Sequence, residues 1–305
     1  MKNFFQKINA YIKRNPLKTV CSALMVVFAA VFICCAVFLI QYYKDSRVQT
    51  QQNENLINMV EQAKQEILKE SGVKPIVNAD GTLNINPEEV PDVNTSEYNV
   101  YVDVTNENGE ILTILKEYAA IYGLNNDMVG WIQIPGTKVN YPVLQNMDIT
   151  NYYLKRDFYK QDARHGSIYA YEWADFRAPS QNITLFGHNM GDGSMFAGLH
   201  AYEKEEFYKD HPYILFDTLT SHQVYKVISV FYTTTDPTTG FDYHEFTDGD
   251  EYEFGMFVDQ CKALSMYDTG DTAVFGNELL TLSTCDDDIA DDTVRFVVVA
   301  KKVSL

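Results

Sequence analysis

The sequence predicts a mostly β protein. It reads as an eight-stranded barrel with helices on its N-terminal side, one further helix between its sixth and seventh strands, and a single transmembrane helix ahead of it. Three observations predict this. One apolar run near the N-terminus is long enough to cross a bilayer. Eight short strand-like runs separated by turn residues follow Val129. A helix-periodic stretch falls in the long gap between the sixth and seventh of them.

Thr19–Ile40 is 22 residues without a charge. As a helix it spans about 33 Å, against a hydrocarbon core of about 30 Å. Secretory signal peptides have shorter apolar regions and end at small residues, whereas this run ends in Phe38, Leu39, Ile40, Gln41, Tyr42 and Tyr43. Tyrosines suit the membrane interface, and Lys2, Lys7, Lys13, Arg14 and Lys18 put the N-terminus in the cytoplasm by the positive-inside bias. Residues 1–18 are thus a cytoplasmic basic tip and 19–43 the anchor, with the rest of the chain extracellular. A cleaved signal peptide is the alternative. The chain carries a net charge of −18 although its tip is basic, and so acidic a surface repels phosphates and excludes nucleic acid as a partner.

Residues 44–72 are polar, with Leu56, Ile57, Val60, Ala63, Ile67 and Leu68 near helical spacing, and read as a stalk helix. Residues 73–100 hold prolines, Asn and Asp with little periodicity and read as a linker. Stalk and linker together occupy 44–104. Ile111–Tyr122 reads as helix, with Leu112, Leu115, Tyr118, Ala119 and Tyr122 on one face. The strand candidates are Gly130–Ile134, Val139–Val143, Gly166–Tyr171, Ile183–Phe186, Tyr213–Thr218, Gln223–Thr233, Leu279–Thr284 and Thr293–Val303. Their number suggests a closed or nearly closed barrel. Helices are expected over Met195–Phe207 and Tyr252–Ser265. No Cys/His cluster has metal-ligand spacing, and no metal or cofactor is expected.

Cys21, Cys34 and Cys35 fall in the apolar run, so only Cys261 and Cys285 lie beyond it. They could form one bridge, but Cys261 sits in a helical stretch and Cys285 at a strand end. Along LLTLSTC, strand alternation puts Leu280, Leu282 and Thr284 on one face and Leu279, Thr281, Ser283 and Cys285 on the other. The first face is core; the second ends in polar groups and a thiol, as at the rim of a cleft. A free cysteine is more often a small core residue than a nucleophile. Asp286, Asp287, Asp288, Asp291 and Asp292 follow; read as a solvated loop, they raise the thiol pKa by repulsion, so a reactive Cys285 needs a cation. Arg295 is the local one. An antiparallel hairpin with its loop centred on Ala290 sets Arg295 opposite Cys285. His188, in ITLFGHNM, stands where a short strand ends, a common place for catalytic side chains; His165, His200, His211, His222 and His244 have no comparable setting.

Together, Gly187-His188-Asn189, Leu282-Ser283-Thr284-Cys285 and Arg295 resemble the sortase family. Three stretches narrow the resemblance to class B: Gly130-Trp131-Ile132-Gln133-Ile134-Pro135; Asn140-Tyr141-Pro142-Val143-Leu144-Gln145 with Tyr152-Tyr153-Leu154; and Gly187 to Phe196. The helix between the sixth and seventh strands resembles class B as well. The resemblance covers roughly 105–305, which it marks as a sortase-like catalytic domain.

The resemblance implies an eight-stranded sortase-like barrel and an extracellular cysteine transpeptidase. Cys285 would attack a Thr carbonyl in a C-terminal sorting signal and form a thioester, and a cell-wall amine would take the acyl group. Cys285, His188 and Arg295 are the implied catalytic residues, with His188 as general acid and Arg295 on the oxyanion. Leu154, Ser283 and Asp286 are implied substrate-binding residues, the backbone N–H of Asp286 adding an oxyanion donor. The implied partners are secreted proteins bearing the signal, the amine of a peptidoglycan precursor or cross-bridge, and the membrane through the anchor. Pilin polymerisation, hydrolysis by a cysteine peptidase, and an anchored wall-binding ectodomain with an inert Cys285 stay open as alternatives.

Overall fold

The computed structural model describes residues 14, 16–72, 99–236, 238–285 and 293–303. Residues 1–51 and 52–305 form two separate units. A helix, α1 (Pro16–Ser71), runs from the first into the second. In the first unit its large apolar side chains, such as Leu24, Phe28, Phe32 and Ile33, are exposed. Among the described residues this helix is long and apolar enough to cross a membrane. The linker expected beyond it lies largely outside the described residues.

In the second unit, the last turns of α1 carry buried Leu56, Val60 and Ile67. Leu56 and Val60 pack with Ile114, Leu115, Tyr118 and Trp131 in a cluster of their own, so the apolar stripe of the stalk serves a packed surface. The first strands, β1 (Tyr101–Thr105) and β2 (Ile111–Leu115), pair as an antiparallel hairpin. This corrects the helix expected over Ile111–Tyr122. The Asn106–Glu110 turn, with the Asn106 carboxamide accepting from the backbone N–H groups of Asn108 and Glu110 and Gly109 at φ +81°, folds the chain back into strand pairing. Helix begins only after Leu115, as a 3-10 turn Lys116–Tyr118 and then α2 (Ala119–Tyr122).

The barrel strands are β3 (Met128–Gln133), β4 (Asn140–Leu144), β5 (Ile168–Ala170), β6 (Asn182–Phe186), β7 (Tyr213–Thr218), β8 (Val224–Thr234), β9 (Leu279–Cys285) and β10 (Val294–Lys302). They close in the order β10-β8-β7-β3-β4-β5-β6-β9. β4 and β5 are parallel, as are β6 and β9; the other neighbours are antiparallel. Leu280, Leu282, Phe296 and Val298 join Ile183, Leu185 and Phe216 in the inner core.

The helix expected over Met195–Phe207 is two pieces: a 3-10 helix, Phe196–Glu203, and α3 (Glu205–Asp210), separated by Lys204 in extended conformation. Its buried residues explain the tighter winding. Phe196, Leu199 and Tyr202 recur every third residue, the spacing that aligns side chains in a 3-10 helix. The helix α4 (Glu251–Leu264) lies between β8 and β9, the sixth and seventh barrel strands. It starts at a reciprocal cap between Asp250 and Glu253, and its buried Phe254, Phe257, Val258 and Cys261 pack on Ile228, Phe231, Val297 and Val299 of the barrel's outer face.

Candidate active site

β9 carries Cys285 as its last residue, and the β9–β10 register pairs Cys285 with Arg295. The barrel leaves neither strand an edge, because β9 also pairs with β6 and β10 with β8. The β6–β9 ladder is parallel and ends at Phe186 beside Ser283, extended by a bond from Gly187 N–H to the Ser283 carbonyl of 3.2 Å. Two residues past that pair, on each chain, stand His188 and Cys285. Three neighbouring strand ends therefore bring the three singled-out residues to one rim of the barrel.

Gly187 is required at this exit. A Cβ there would lie 2.5 Å from Ile168 Cδ1 and 2.8 Å from Phe196 Cγ. The turn after it is pinned: the His188 carbonyl accepts from Phe196 N–H at 2.9 Å, which sets the 3-10 helix against the histidine loop. The half-buried His188 ring bonds through Nε2 to the Leu154 carbonyl at 2.8 Å. A carbonyl only accepts, so Nε2 carries a proton and Nδ1 is left for exchange with a ligand. Leu154 thus serves the site through its backbone as well as lining the groove.

The groove encloses about 360 Å³ and is lined by Leu154, Gly187, His188, Ser283, Thr284 and Arg295, among others. Ser283 is buried and its hydroxyl is engaged with that of Tyr243 at 2.6 Å. Arg295 Nη1 donates to the Val294 carbonyl at 2.9 Å, which lays the guanidinium along its own strand. Asp286 and the acidic run behind Cys285 lie outside the described residues. Cys261 is free and fully buried on the barrel-facing side of α4, so it forms no bridge with Cys285. Burial pushes its thiol far up, which leaves it inert.

Sequence reasoning missed part of the groove wall. Tyr171, Glu172, Tyr243 and His244 all line it. His244 sits edge-on to Tyr171, ring centroids 5.4 Å apart, and 6.1 Å from Phe186. Its setting becomes visible only once the segment between β8 and α4 folds back over β6. His222, the other histidine with a built environment, belongs to a different place: Nδ1 bonds Asp217 at 2.8 Å and Nε2 bonds Glu117 at 3.1 Å, with Tyr118 donating to the same aspartate at 2.5 Å. Burial works against that imidazolium, but attraction to Asp217 and the bonds to both carboxylates push its pKa up to about 10.

The sequence pattern of the Sortase domain family matches residues 132–303. The chain belongs to the sortase family, in its class B. Sortase B of Listeria monocytogenes is 36% identical over 206 residues, which is 66% of this chain and 78% of that protein. Sortase B of Staphylococcus aureus is 34% identical over 190 residues, 62% of this chain and 75% of that protein. A solved Staphylococcus aureus sortase B–substrate complex superposes with a TM-score of 0.58 at 32% identity, covering 63% of this chain and 87% of that one. The enzyme is a cysteine transpeptidase by family, and the reading of an inert wall-binding ectodomain is set aside. Its barrel, with a helix between the sixth and seventh strands, is the sortase B architecture.

Proposed function

We propose that this class B sortase cleaves a C-terminal sorting signal after threonine, holds the protein as a thioester on Cys285, and transfers it to a cell-wall amine. The observation that carries this reading is the meeting of three strand ends, with Arg295 opposite Cys285 and His188 at the end of the next strand. The Cys285 thiolate attacks the threonine carbonyl carbon. Negative charge gathers on its oxygen, where the Arg295 guanidinium donates hydrogen bonds; one such donor is worth about 3 kcal/mol. The C–N bond breaks as His188 gives its proton to the leaving amine. A neutral acceptor amine then attacks the thioester, loses a proton to His188, and releases Cys285.

α1 supports anchoring, with the N-terminus cytoplasmic and the barrel outside, because residues before the apolar run are basic. Tethering raises the effective concentration of enzyme against substrates held at the same surface. Leu154 and Ser283 belong to the groove that receives the signal, and the N–H of Asp286, the residue after Cys285 in the sequence, is the further donor proposed for the oxyanion.

The test is the full chain in detergent with peptides built on Asn-Pro-x-Thr and Leu-Pro-x-Thr-Gly cores, with and without an added amine. Wild type should form a mass adduct removable by hydroxylamine and give an amide product when amine is present. Cys285→Ala should do neither. Turnover by Cys285→Ala, or product formed only by water in the presence of amine, would sink the reading.

A further inference from the structure

Two turns beside the groove expose large apolar side chains. Met147 and Ile149 lie on one, Trp173 on the other, and they are 73%, 53% and 73% exposed. The turns are clamped together. The buried Gln145 carboxamide donates to the Tyr171 and Ala174 carbonyls, each at 2.8 Å, and Thr150 Oγ1 donates to Glu172 at 2.6 Å. Each turn is also braced internally: Asn146 Oδ1 accepts from the N–H of Ile149 at 2.8 Å, and Ala174 N–H bonds the Tyr171 carbonyl at 3.1 Å. The three side chains therefore stand exposed on braced, neighbouring turns as an apolar ridge, and exposed patches of this kind mark interaction sites.

The ridge is continuous with the groove. Thr150 and Glu172, the hydrogen-bonded pair, line the groove wall. Ile149 and Trp173 are the next residues outward on the two turns. On the far side opens a second cleft of about 650 Å³, whose walls include Met147, Asp148 and Asp175 together with Glu107 and Glu110. A polypeptide lies extended at about 3.3–3.6 Å per residue. A chain that leaves the groove across this wall meets Trp173 within a few residues and then a surface on which Glu107, Glu110, Asp127, Asp148 and Asp175 outnumber the lone basic residue of that lining, Arg177.

We propose that the Met147–Ile149–Trp173 ridge is an exosite for the stretch of substrate polypeptide flanking the sorting signal. It selects a flank with an apolar side chain followed by Lys or Arg. The apolar side chain covers Trp173, the kind of residue that dominates interface energetics, and the basic one faces Asp148 and Asp175. The turns are preorganised, so little ordering cost opposes the contact. This rests on the transpeptidase reading, since it names what that reaction's substrate carries outside its core.

The experiment uses the full chain in detergent and the core peptide that wild type turns over in the assay above. That core is tested alone and extended on either end by Leu-Lys-Lys, by Ser-Gly-Ser or by Leu-Glu-Glu. The Leu-Lys-Lys flank on one end should lower KM about tenfold with kcat unchanged. Trp173→Ala should erase that gain while leaving turnover of the bare core as in wild type, and Trp173→Phe should keep most of it. Equal effects of Trp173→Ala on bare and flanked peptides, or no effect on either, would overturn the exosite. So would an unchanged KM together with lost binding to lipid vesicles or lost self-association, which would give the ridge to another occupant. Cys285→Ala abolishes turnover of every peptide, so loss of chemistry and loss of the exosite are distinguishable.

Discussion

Arg295 is held along its own strand by the bond to the Val294 carbonyl and set across from Cys285 by the β9–β10 register. Its value to the proposed reaction lies in the planar fork of donors, which a lysine lacks. Arg295→Lys should therefore keep the charge yet lose about 10²–10³ in kcat with little change in KM, measured on flanked peptides. Tyr243 acts one step away. Removing its hydroxyl in Tyr243→Phe leaves the Ser283 hydroxyl buried without its partner, which costs about 1–3 kcal/mol in urea unfolding. The pairing of Cys285 with Arg295 was permitted by the sequence, through a hairpin with its loop centred on Ala290, and the β9–β10 ladder has that register. The places of Tyr243 and His244 could not be read there, since they lie in a segment without periodicity whose approach to β6 is purely tertiary.

Among the elements, the barrel strands announced themselves through alternation and flanking turn residues, and Tyr213–Thr218 is a strand over the expected range. The failures have a common cause. Leu112, Leu115, Tyr118 and Tyr122 keep helical spacing, but the Asn- and Gly-bearing turn before them offers a hairpin, and strand pairing took Ile111–Leu115. Along Phe196–Tyr202 a three-residue period was read as the α-helical 3.6, a difference that so short a segment barely resolves. α4 was legible because its apolar residues keep a helical period; the structure adds a reciprocal cap between Asp250 and Glu253 at its start. Asp250→Ala should lower stability by about 1 kcal/mol in chemical denaturation while leaving peptide turnover unaltered, because α4 packs against the barrel's outer face.

For the whole molecule, the buried group of Glu117, Tyr118, Asp217 and His222 joins the segment after β2 to the β7–β8 turn. Lys116 pairs with Glu70 at the end of α1 and extends the link to the long helix. His222 has a folded-state pKa of about 10, above its ordinary 6.5. The stability it contributes is therefore fully present below about pH 6.5 and is lost as pH rises through 10. The urea midpoint of wild type should fall over that window. His222→Ala should cost about 3–5 kcal/mol at pH 7, because the carboxylates keep their burial without a cation, and should flatten the pH dependence.

The strand that ends in Cys285 is the stave that shuts the barrel: β9 stands between β6 and β10, which precede and follow it in the chain. A chain stalled before residue 279 presents β6 and β8 as open edges, liable to pair with other chains. In chain order Cys285 comes after every barrel strand except β10. Closure of the barrel and arrival of Cys285 at its rim are therefore one event, because the strand that ends in Cys285 is also the one that joins β6 to β10.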